Sequence, residues 1–436
     1  MRFYCRLGIV GGLMAGGLAA SLLLARPVLA RGAQPAAAAG LITVTTTLDE
    51  FDAAPNGQCS LREAIQTLNT GAAFGGCPAG LAGDTILLAD GATYALTRAG
   101  ADEDANATGD LDVLVSLRLQ PVSGRAALSA AGLGDRVLET QAGVITLQDL
   151  TLTGGDVTGL VTPYGGGLRN TATVTLTRVD LTHNRALMGG GVFNESGAPG
   201  LTVELGLIAQ NTAQMDGGGI YNRAALLLTN SSVISNSASN LAGGLYNEAV
   251  AAVVLRNTTV SSNTVTVGDG GGLYNVGTGQ GMTLNNVTVT GNYANNNAGG
   301  LHNGGPLKIA NSVLAGNLSS QDADCWGTGM FESKGYNVLG AGAAAACALT
   351  GNVATVVSTT APLLGPLAEN GGRTLTHALL AGSPALDQGN PAAPAGGWTC
   401  ETADQRGITR IGRCDAGAYD TGLLVQLFLP LVTRQP

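Results

Sequence analysis

The feature that most constrains the fold of this 436-residue chain is a short phrase that recurs along its middle. The phrase consists of two or three Gly residues, an aliphatic residue, one variable residue and Asn. Its successive Asn residues are 24, 28, 25, 28 and 28 positions apart. A period of this size is typical of stacked-repeat architectures. The six copies are Gly165–Asn170, Gly189–Asn194, Gly217–Asn222, Gly243–Asn247, Gly270–Asn275 and Gly299–Asn303.

A second phrase has the same rhythm and supplies the candidate core positions. The residues ten, eight and three positions before its final Asn are apolar in all six copies. A pair two residues apart fits one face of a strand, and the jump of five indicates a corner before a second short strand. The Gly phrase supplies the third strand. The second phrase ends at Asn184, Asn211, Asn236, Asn263, Asn292 and Asn317.

Three short strands and three corners per repeat predict one coil of a parallel β-helix, so the predicted fold class is all-β. Like aliphatic side chains then pile on one another in successive coils, about 4.8 Å apart. The recurring Asn residues are expected at corners, where Asn tolerates a left-handed backbone and its amide can bond the next Asn of the column. A leucine-rich repeat is the main alternative for this period, but no copy contains a helix-forming stretch.

The composition agrees with a solenoid and narrows its partners. The chain has 67 Gly, 12% charged residues, 4% aromatic residues and a formal net charge of −9. Abundant Gly with little charge fits stacked strands and tight turns, whereas disordered chains have high net charge and low hydrophobicity. The acidic balance excludes a nucleic-acid-binding footprint and argues against polyanionic ligands.

Residues 1–30 have the pattern of an export signal. Arg2 and Arg6 precede the small and apolar stretch Leu7–Ala25, and a small-residue cleavage site follows. The alternative is an uncleaved N-terminal membrane anchor. The Ala/Gly/Pro-rich residues 31–40 are expected to be a flexible leader. We therefore expect a secreted or cell-surface protein, and a monomer.

The chain ends in an apolar tail, residues 423–436. Its largely apolar run Leu423–Val432 is too short to span a bilayer as a helix, which takes about 20 residues. Pro430 also argues against a helix. Two interpretations stay open, a sorting or anchoring tail and a strand packed on the C-terminal cap. No transmembrane helix is expected after signal removal.

The six cysteines that follow the signal fall into close pairs. Six cysteines allow fifteen pairings, but an exported context and proximity in sequence favour three local disulfides. None of the spacings suits a zinc site. The favoured pairs are Cys59 with Cys77, Cys325 with Cys347, and Cys400 with Cys414.

Both flanks of the repeat resemble known modules. Cys59–Ala64 reads CSLREA and begins a short predicted helix that would cover the open sheet edge of the first coil. The string resembles the N-terminal CSLREA domain of bacterial surface-exposed β-helix proteins. Pro362–Asp420 resembles the C-terminal module of choice-of-anchor (Q type) bacterial surface proteins, which follows right-handed β-helices.

These resemblances imply a right-handed parallel β-helix of the pectin-lyase-like fold, capped at both ends. Right-handed parallel crossovers are also the general preference. The implied order is an N-terminal CSLREA-type cap at residues 41–135, β-helix repeats at 136–330 and a C-terminal capping or choice-of-anchor-like module at 331–422.

An acidic segment, reading DEDANATGDLD, precedes the repeats. Its side chains can gather the oxygen ligands of a structural Ca²⁺, and three of them match the first three EF-hand ligand positions. However, Ala107 stands at the EF-hand Gly position and Val113 at the position of the bidentate Glu. The alternative is a solvated acidic turn, so no cofactor is required. The candidate ligands are Asp102, Asp104, Asn106, Asp110 and Asp112.

No catalytic residue is assigned. Glycosidases need paired carboxylates, and in a β-helix these must share a column or lie in adjacent columns. Asp216 and Asp269 precede Gly runs two coils apart, with Leu241 between them, and form the candidate pair at about 10 Å. Asp149 and Arg178 share another column and are expected to form an exposed ion pair, which contributes little.

The three histidines share no column. His183 lies next to a corner Asn, His302 replaces a Tyr of the Gly phrase, and His377 lies in the C-terminal module. A histidine site is therefore not expected, and surface or capping roles are.

The variable residue of the Gly phrase is aromatic in four consecutive copies. Strand alternation predicts that it faces outward, so the four rings would form an exposed ladder suited to sugar stacking or protein contact. The alternative is that the rings only stabilise neighbouring coils. The four residues are Phe193, Tyr221, Tyr246 and Tyr274.

The sequence therefore favours a non-catalytic role but leaves open whether the chain is an enzyme. The expected function is that of an exported scaffold, adhesin-like or an envelope component, that binds a cell-surface glycan or another surface. The alternative is a polysaccharide lyase or glycoside hydrolase of the pectin-lyase-like fold. The fold itself does not decide between them.

Overall fold

The computed structural model describes residues 40–422. The predicted signal, the leader except Gly40, and the apolar tail lie outside the described residues. Within 40–422, no helix is both long and apolar enough to cross a membrane.

The chain forms a parallel β-helix with three sheets along its sides. Every pairing inside the three sheets is parallel and joins one coil to the next. The coil predicted from the repeat is therefore confirmed, with one addition. Each repeat contains a fourth strand of two to five residues, directly after the final Asn of the second phrase.

The three sheets are named here by their size. The long sheet contains Leu41–Thr43, Thr85–Leu88, Thr93–Ala95, Leu117–Pro121, Ala126–Ser129, Val144–Gln148, Leu150–Thr153, Thr173–Thr177, Asp180–Thr182, Gly200–Glu204, Leu207–Ala209, Leu226–Thr229, Ser232–Ile234, Val253–Ser261, Met282–Thr290, Leu307–Ala310, Val313–Leu314, Phe331–Gly335, Val338–Gly340, Thr350–Gly351 and Val357–Thr359. The nine-stranded sheet contains Leu111–Val113, Leu138–Thr140, Leu168–Asn170, Val192–Asn194, Ile220–Asn222, Leu245–Asn247, Leu273–Asn275, Leu301–Asn303 and Cys325–Trp326.

The smaller elements complete the coils and the flanks. The six-stranded sheet contains Arg185–Ala186, Thr212–Ala213, Ser237–Ala238, Thr264–Val265, Tyr293–Asn297 and Leu318–Gln321. An antiparallel hairpin joins Leu364–Ala368 to Thr376–Leu379. The two helices are Leu61–Thr70 and Ala343–Ala346.

The predicted core positions form the interior of the coil. The eighteen apolar residues of the second phrase are all 2% exposed or less, and so are the aliphatic residues of the Gly phrases. Leu176 faces Val203 in the next coil, and Leu181 faces Ile208. Each such residue buries its side chain against its counterparts above and below, a gain of about 1.5–3 kcal/mol per side chain.

Two Asn columns form hydrogen-bonded ladders between coils, as predicted. The Nδ2 group of Asn211 donates to Oδ1 of Asn236 at 3.0 Å, and Asn222 donates to Asn247 at 3.0 Å. The ladder Asn residues are not themselves left-handed, so the backbone prediction was wrong for both columns. In the first column the left-handed residue is the one before the ladder Asn, with φ of 58° at Gln210. The prediction is confirmed for the Asn residues six positions before the ladder Asn, which have φ of 51°, 42°, 51° and 49° at Asn230, Asn257, Asn286 and Asn311.

The parallel stack begins well before the repeats. Leu41 pairs with Thr85, Thr85 with Arg118, and Leu117 with Ile145 in the long sheet. Residues 41–135 therefore already contribute coils to the β-helix. The helix Leu61–Thr70 begins with a capping box, in which Ser60 accepts from the backbone of Glu63 and the Glu63 side chain accepts from the backbone of Ser60.

The segment that follows the last coil packs along the side of the stack. Arg373 pairs with Asp180 at 2.7 Å, and Nε2 of His377 lies 2.8 Å from Oγ of Ser261. Further along, Gly417 donates its backbone N–H to the carbonyl of Asn311 at 2.8 Å. These contacts join the segment to coils between residues 180 and 311.

The three expected disulfides are present. They join Cys59 to Cys77, Cys325 to Cys347 and Cys400 to Cys414, with Cα–Cα distances of 4.6, 5.8 and 6.5 Å. Two of them close the flanks of the stack, because Cys325 and Cys347 belong to its last coils and Cys59 precedes the first helix. Disulfides of this kind are consistent with an oxidising extracellular environment.

Candidate functional site

One column of the nine-stranded sheet carries all four aromatic candidates and one of the acidic ones. It consists of the middle residue of each strand, which points away from the aliphatic core by strand alternation. We call it the outer column. In coil order it contains Asp112, Glu139, Arg169, Phe193, Tyr221, Tyr246, Tyr274, His302 and Trp326.

The aromatic part of the outer column is a continuous stack. Ring centroids are 5.1 Å apart for Phe193 and Tyr221, 4.7 Å for Tyr221 and Tyr246, and 5.3 Å for Tyr246 and Tyr274. The planes of these pairs are inclined by 13–21°. Ring stacking follows from the parallel register, which places like residues about 4.8 Å apart.

The prediction that the ladder is exposed was wrong. Phe193, Tyr221 and Tyr246 are only 2%, 7% and 9% exposed, and Tyr274 is half-buried. They form an apolar cluster with residues that precede the Gly runs, among them Leu241. Those residues pair from coil to coil as isolated parallel bridges. They also pack against the rings and cover them. Burial raises the pKa of Tyr246 to about 12.

The candidate catalytic pair lies beside this stack. Asp216 and Asp269 are joined through Leu241 by successive parallel bridges, so they lie two coils apart as predicted. Each carboxylate already accepts two hydrogen bonds. Asp216 accepts from the side chain of Asn240 and the backbone of Leu241, and Asp269 accepts from the side chain and backbone of Asn297. Burial raises the pKa of Asp216.

His302 belongs to this site, which the sequence did not indicate. Its Nδ1 lies 3.5 Å from Oδ2 of Asp269, and its ring stacks on Tyr274. Burial lowers the pKa of His302, and the nearby Asp269 carboxylate opposes that shift. The available signal was its place in the Tyr column, which was interpreted as a surface position.

The N-terminal end of the outer column is acidic. Glu139 accepts from Arg136 at 2.7 Å and from Arg169 at 2.9 Å. Asp112 faces Glu139 in the neighbouring strand. One carboxylate oxygen from each of Asp104, Asp112 and Glu139 lies within 4.8 Å of the other two.

The predicted calcium ligands do not converge as a consecutive set. Asp102 accepts from the hydroxyl of Thr162 at 2.7 Å. Asn106 is buried and uses its Nδ2 to donate to the carbonyl of Arg62. Asp110 pairs with Arg136 at 3.3 Å. Of the five, Asp104 and Asp112 bring carboxylate oxygens together, with Glu139 as the third. Asn106 also contacts Asp112, because its Oδ1 accepts from the backbone N–H of Asp112 at 3.2 Å.

Arg62 holds the acidic loop in its observed position. Its guanidinium is fully buried and donates to the carboxylate of Asp49, at 2.6 Å for the Nε contact. It also donates to the backbone carbonyls of Gly109 and Asp110, both at 2.7 Å. The Arg of the CSLREA string therefore clamps the loop onto the helix Leu61–Thr70.

Burial perturbs the pKa of Asp112, which belongs to the acidic trio. The residue is 0% exposed, and its Oδ2 accepts from the backbone N–H of Asn106 at 3.1 Å. Its Oδ1 has no hydrogen-bond donor among the described residues. Burial raises the pKa of Asp112 to about 7, and the carboxylates of Glu139, Glu103 and Asp104 also raise it.

An open groove of about 460 Å³ lies on the outer face of the long sheet. The residues that line it include Thr173, Thr175, Thr202, Leu227 and Val254. These come from neighbouring coils in register.

One end of the groove is charged. Arg256 lines it and lies 3.7 Å from Glu401 of the C-terminal segment. Among the described residues that line the groove there is no carboxylate. Thr and aliphatic residues form most of the groove, so no charged or aromatic column of the sequence indicates it.

Comparison with known proteins supports the architecture. No protein-family model matches the sequence, and no curated protein matches it. Among solved structures, the chain is similar to pectate lyase Pel9A with a TM-score of 0.52 and 13% sequence identity, over 88% of this chain and 97% of that chain. At this identity the likeness shows the fold alone. The protein is therefore a right-handed parallel β-helix with a pectin-lyase-like fold.

Proposed function

We propose that the protein is an exported, non-catalytic β-helix scaffold that binds a cell-surface glycan in the groove of the long sheet. The observation that carries this proposal is the chemistry of the groove. Thr hydroxyls at 173, 175 and 202 can exchange hydrogen bonds with sugar hydroxyls, and Leu227 and Val254 offer apolar contact to the C–H faces of a sugar ring.

The lining argues for binding without cleavage. Hydrolysis of a glycosidic bond takes two carboxylates that flank the bond, and no carboxylate lines the described groove. The net charge of −9 favours a neutral glycan over an acidic one. The buried aromatic ladder is assigned a stabilising role in this proposal, not a sugar-stacking role.

The setting of the protein is part of the same proposal. The resemblances to the CSLREA domain and to the choice-of-anchor module support a bacterial cell-surface or secreted protein, adhesin-like or an envelope component. Residues 1–30 act as the export signal. The protein works as a monomer. Its C-terminal part determines whether it stays at the cell surface or is released.

Binding to a panel of neutral and acidic polysaccharides, measured by affinity gel electrophoresis, tests the proposal. We expect retardation by at least one neutral polysaccharide. Leu227→Glu and Thr202→Glu should abolish it, because each places a charge in the groove. Thr283→Glu is the matched control, because Thr283 follows Val254 in the same column of the long sheet but does not line the groove. Binding that survives both groove variants would contradict the assignment.

A polysaccharide lyase or glycoside hydrolase is the alternative function. The likeness to pectate lyase Pel9A favours it by fold, and the buried Asp216 with its raised pKa is its best-placed acid. The same panel, assayed with and without Ca²⁺ for unsaturated products and new reducing ends, distinguishes the two functions. Cleavage that disappears in an Asp216→Asn/Asp269→Asn double variant would establish the enzyme.

A further inference from the structure

We propose that Asp104, Asp112 and Glu139 form a calcium site that ties the acidic loop of residues 102–112 to the next coil. The three carboxylates come from three different elements. Asp104 belongs to the loop, Asp112 to the strand Leu111–Val113, and Glu139 to the strand Leu138–Thr140. Their oxygens approach within 4.8 Å of one another, which is close enough for a single cation to contact all three.

The unpartnered oxygen of Asp112 is the second observation. Asp112 is fully buried, yet its Oδ1 receives no hydrogen bond from the described residues. A buried acceptor without a donor costs about 1–3 kcal/mol, and more when it is charged. Because this carboxylate belongs to the trio, a cation bound there would supply the missing partner.

The net charge around the trio is negative, which favours binding of a cation. Glu139 is paired with Arg136 and Arg169, but these are shared with Asp110 and Glu195. Glu103 adds a further carboxylate in the same loop, so negative charge remains in excess. Each carboxylate also offers about four lone-pair sites, so the existing ion pairs and the Gln141 contact to Asp104 at 2.9 Å do not exhaust the oxygens.

The donor set selects the kind of metal. All three ligands are carboxylates, and no His or Cys belongs to the trio. Such hard oxygen donors suit Ca²⁺, which accepts irregular geometry with six to eight ligands, better than Zn²⁺ or Cu²⁺. Asp104 is exposed, so water can complete the coordination on that side.

A cation bound at this site would stabilise the loop of residues 102–112 most. The loop connects the first helix to the stack through Arg62, and it carries left-handed residues at Asp102 and Asn106. A cation shared by the loop and the strand Leu138–Thr140 would fix the loop to the second coil of the nine-stranded sheet. The site thus serves stability and lies outside the groove of the long sheet.

The test is calcium titration of the full protein after treatment with a chelator, at about pH 8. Isothermal calorimetry with CaCl2 alone should show binding of one ion per chain, and Ca²⁺ should raise the urea midpoint of unfolding. Asp104→Asn and Asp112→Asn should each weaken the affinity by more than about tenfold. Asp104 is exposed, so that variant should fold even if the buried one does not.

Asp52→Asn is the matched control. Asp52 belongs to a second acidic trio with Glu50 and Glu63, but among the described residues no carboxylate oxygen of that trio is buried without a hydrogen-bond partner. We expect this variant to bind Ca²⁺ as the wild type does. The proposal fails if the wild type shows neither heat nor a midpoint shift up to about 10 mM CaCl2. It also fails if binding survives in both trio variants or is lost only in Asp52→Asn.

Discussion

The imidazole of His302 stacks on the ring of Tyr274, with centroids 4.0 Å apart and planes inclined by 19°. The two residues are register partners in adjacent coils. Burial in this stack lowers the pKa of His302 below its usual 6.5. The unfolded chain therefore binds a proton more readily than the native one, so this group makes stability fall as the pH drops through about 6.5.

His302→Phe should remove that pH dependence while keeping an aromatic ring in the stack. The stability of the wild type relative to the variant should fall between about pH 8 and pH 5. Urea unfolding at several pH values measures it. His183→Asn is the control, because His183 is exposed and its left-handed backbone tolerates Asn. A difference between wild type and His302→Phe that is independent of pH would contradict the prediction.

Tyr246→Ala should destabilise the protein by about 3–5 kcal/mol, the usual cost of removing a buried aromatic ring. The ring fills a space between Tyr221 and Tyr274, and neighbouring coils cannot close it without losing register. Tyr246→Phe keeps the ring and should cost much less. Chemical denaturation measures both, and equal costs would show that the hydroxyl rather than the stacked ring matters.

Asn236→Ala should break one Asn ladder and cost about 1–3 kcal/mol. Asn236 accepts from the side chain and backbone of Asn211 and donates to Asn263, so its loss leaves buried groups without partners. Asn296→Ala is the control, because Asn296 is exposed. If both variants unfold at the same urea concentration, the ladder contributes nothing measurable.

Arg62→Ala should cost about 3–5 kcal/mol, because it leaves the buried Asp49 carboxylate and several carbonyls without their donor. The loop of residues 102–112 should also lose protection against hydrogen exchange. Exposed Arg118→Ala controls for the loss of a cation. If the loop keeps its protection in the Arg62 variant, the Arg of the CSLREA string does not hold the acidic loop in place.

The repeat made the interior of the coil predictable. A fixed offset of ten, eight and three residues before Asn184 gives Val174, Leu176 and Leu181, and all three are buried. The same spacing in each copy places equivalent positions in register. Both the Asn ladders and the ion pair of Arg178 with Asp149, at 2.6 Å, therefore follow from counting. The fourth strand has only a column of small residues, such as Ala186 and Ala213, to indicate it.

Contacts outside the coil were not predictable by the same counting. Alternation places Tyr221 on the outer face of its strand, but alternation does not reveal that the chain before the Gly run folds over it. The acidic trio joins Asp104 to Glu139 across a loop of irregular conformation. Such pairings depend on the clamp made by Arg62 and on backbone angles that no periodic pattern encodes.

Hydrogen exchange, measured with and without the polysaccharide that retards the protein in the gel, tests the proposed function most directly. If the groove binds the glycan, protection should rise in Thr173–Thr177, Gly200–Glu204 and Leu226–Thr229 while the polymer keeps its length. The segments around Asp216 and Asp269 should exchange as before. Protection centred on Asp216 and Asp269, with shortening of the polymer, would contradict the non-catalytic scaffold and establish an enzyme in its place.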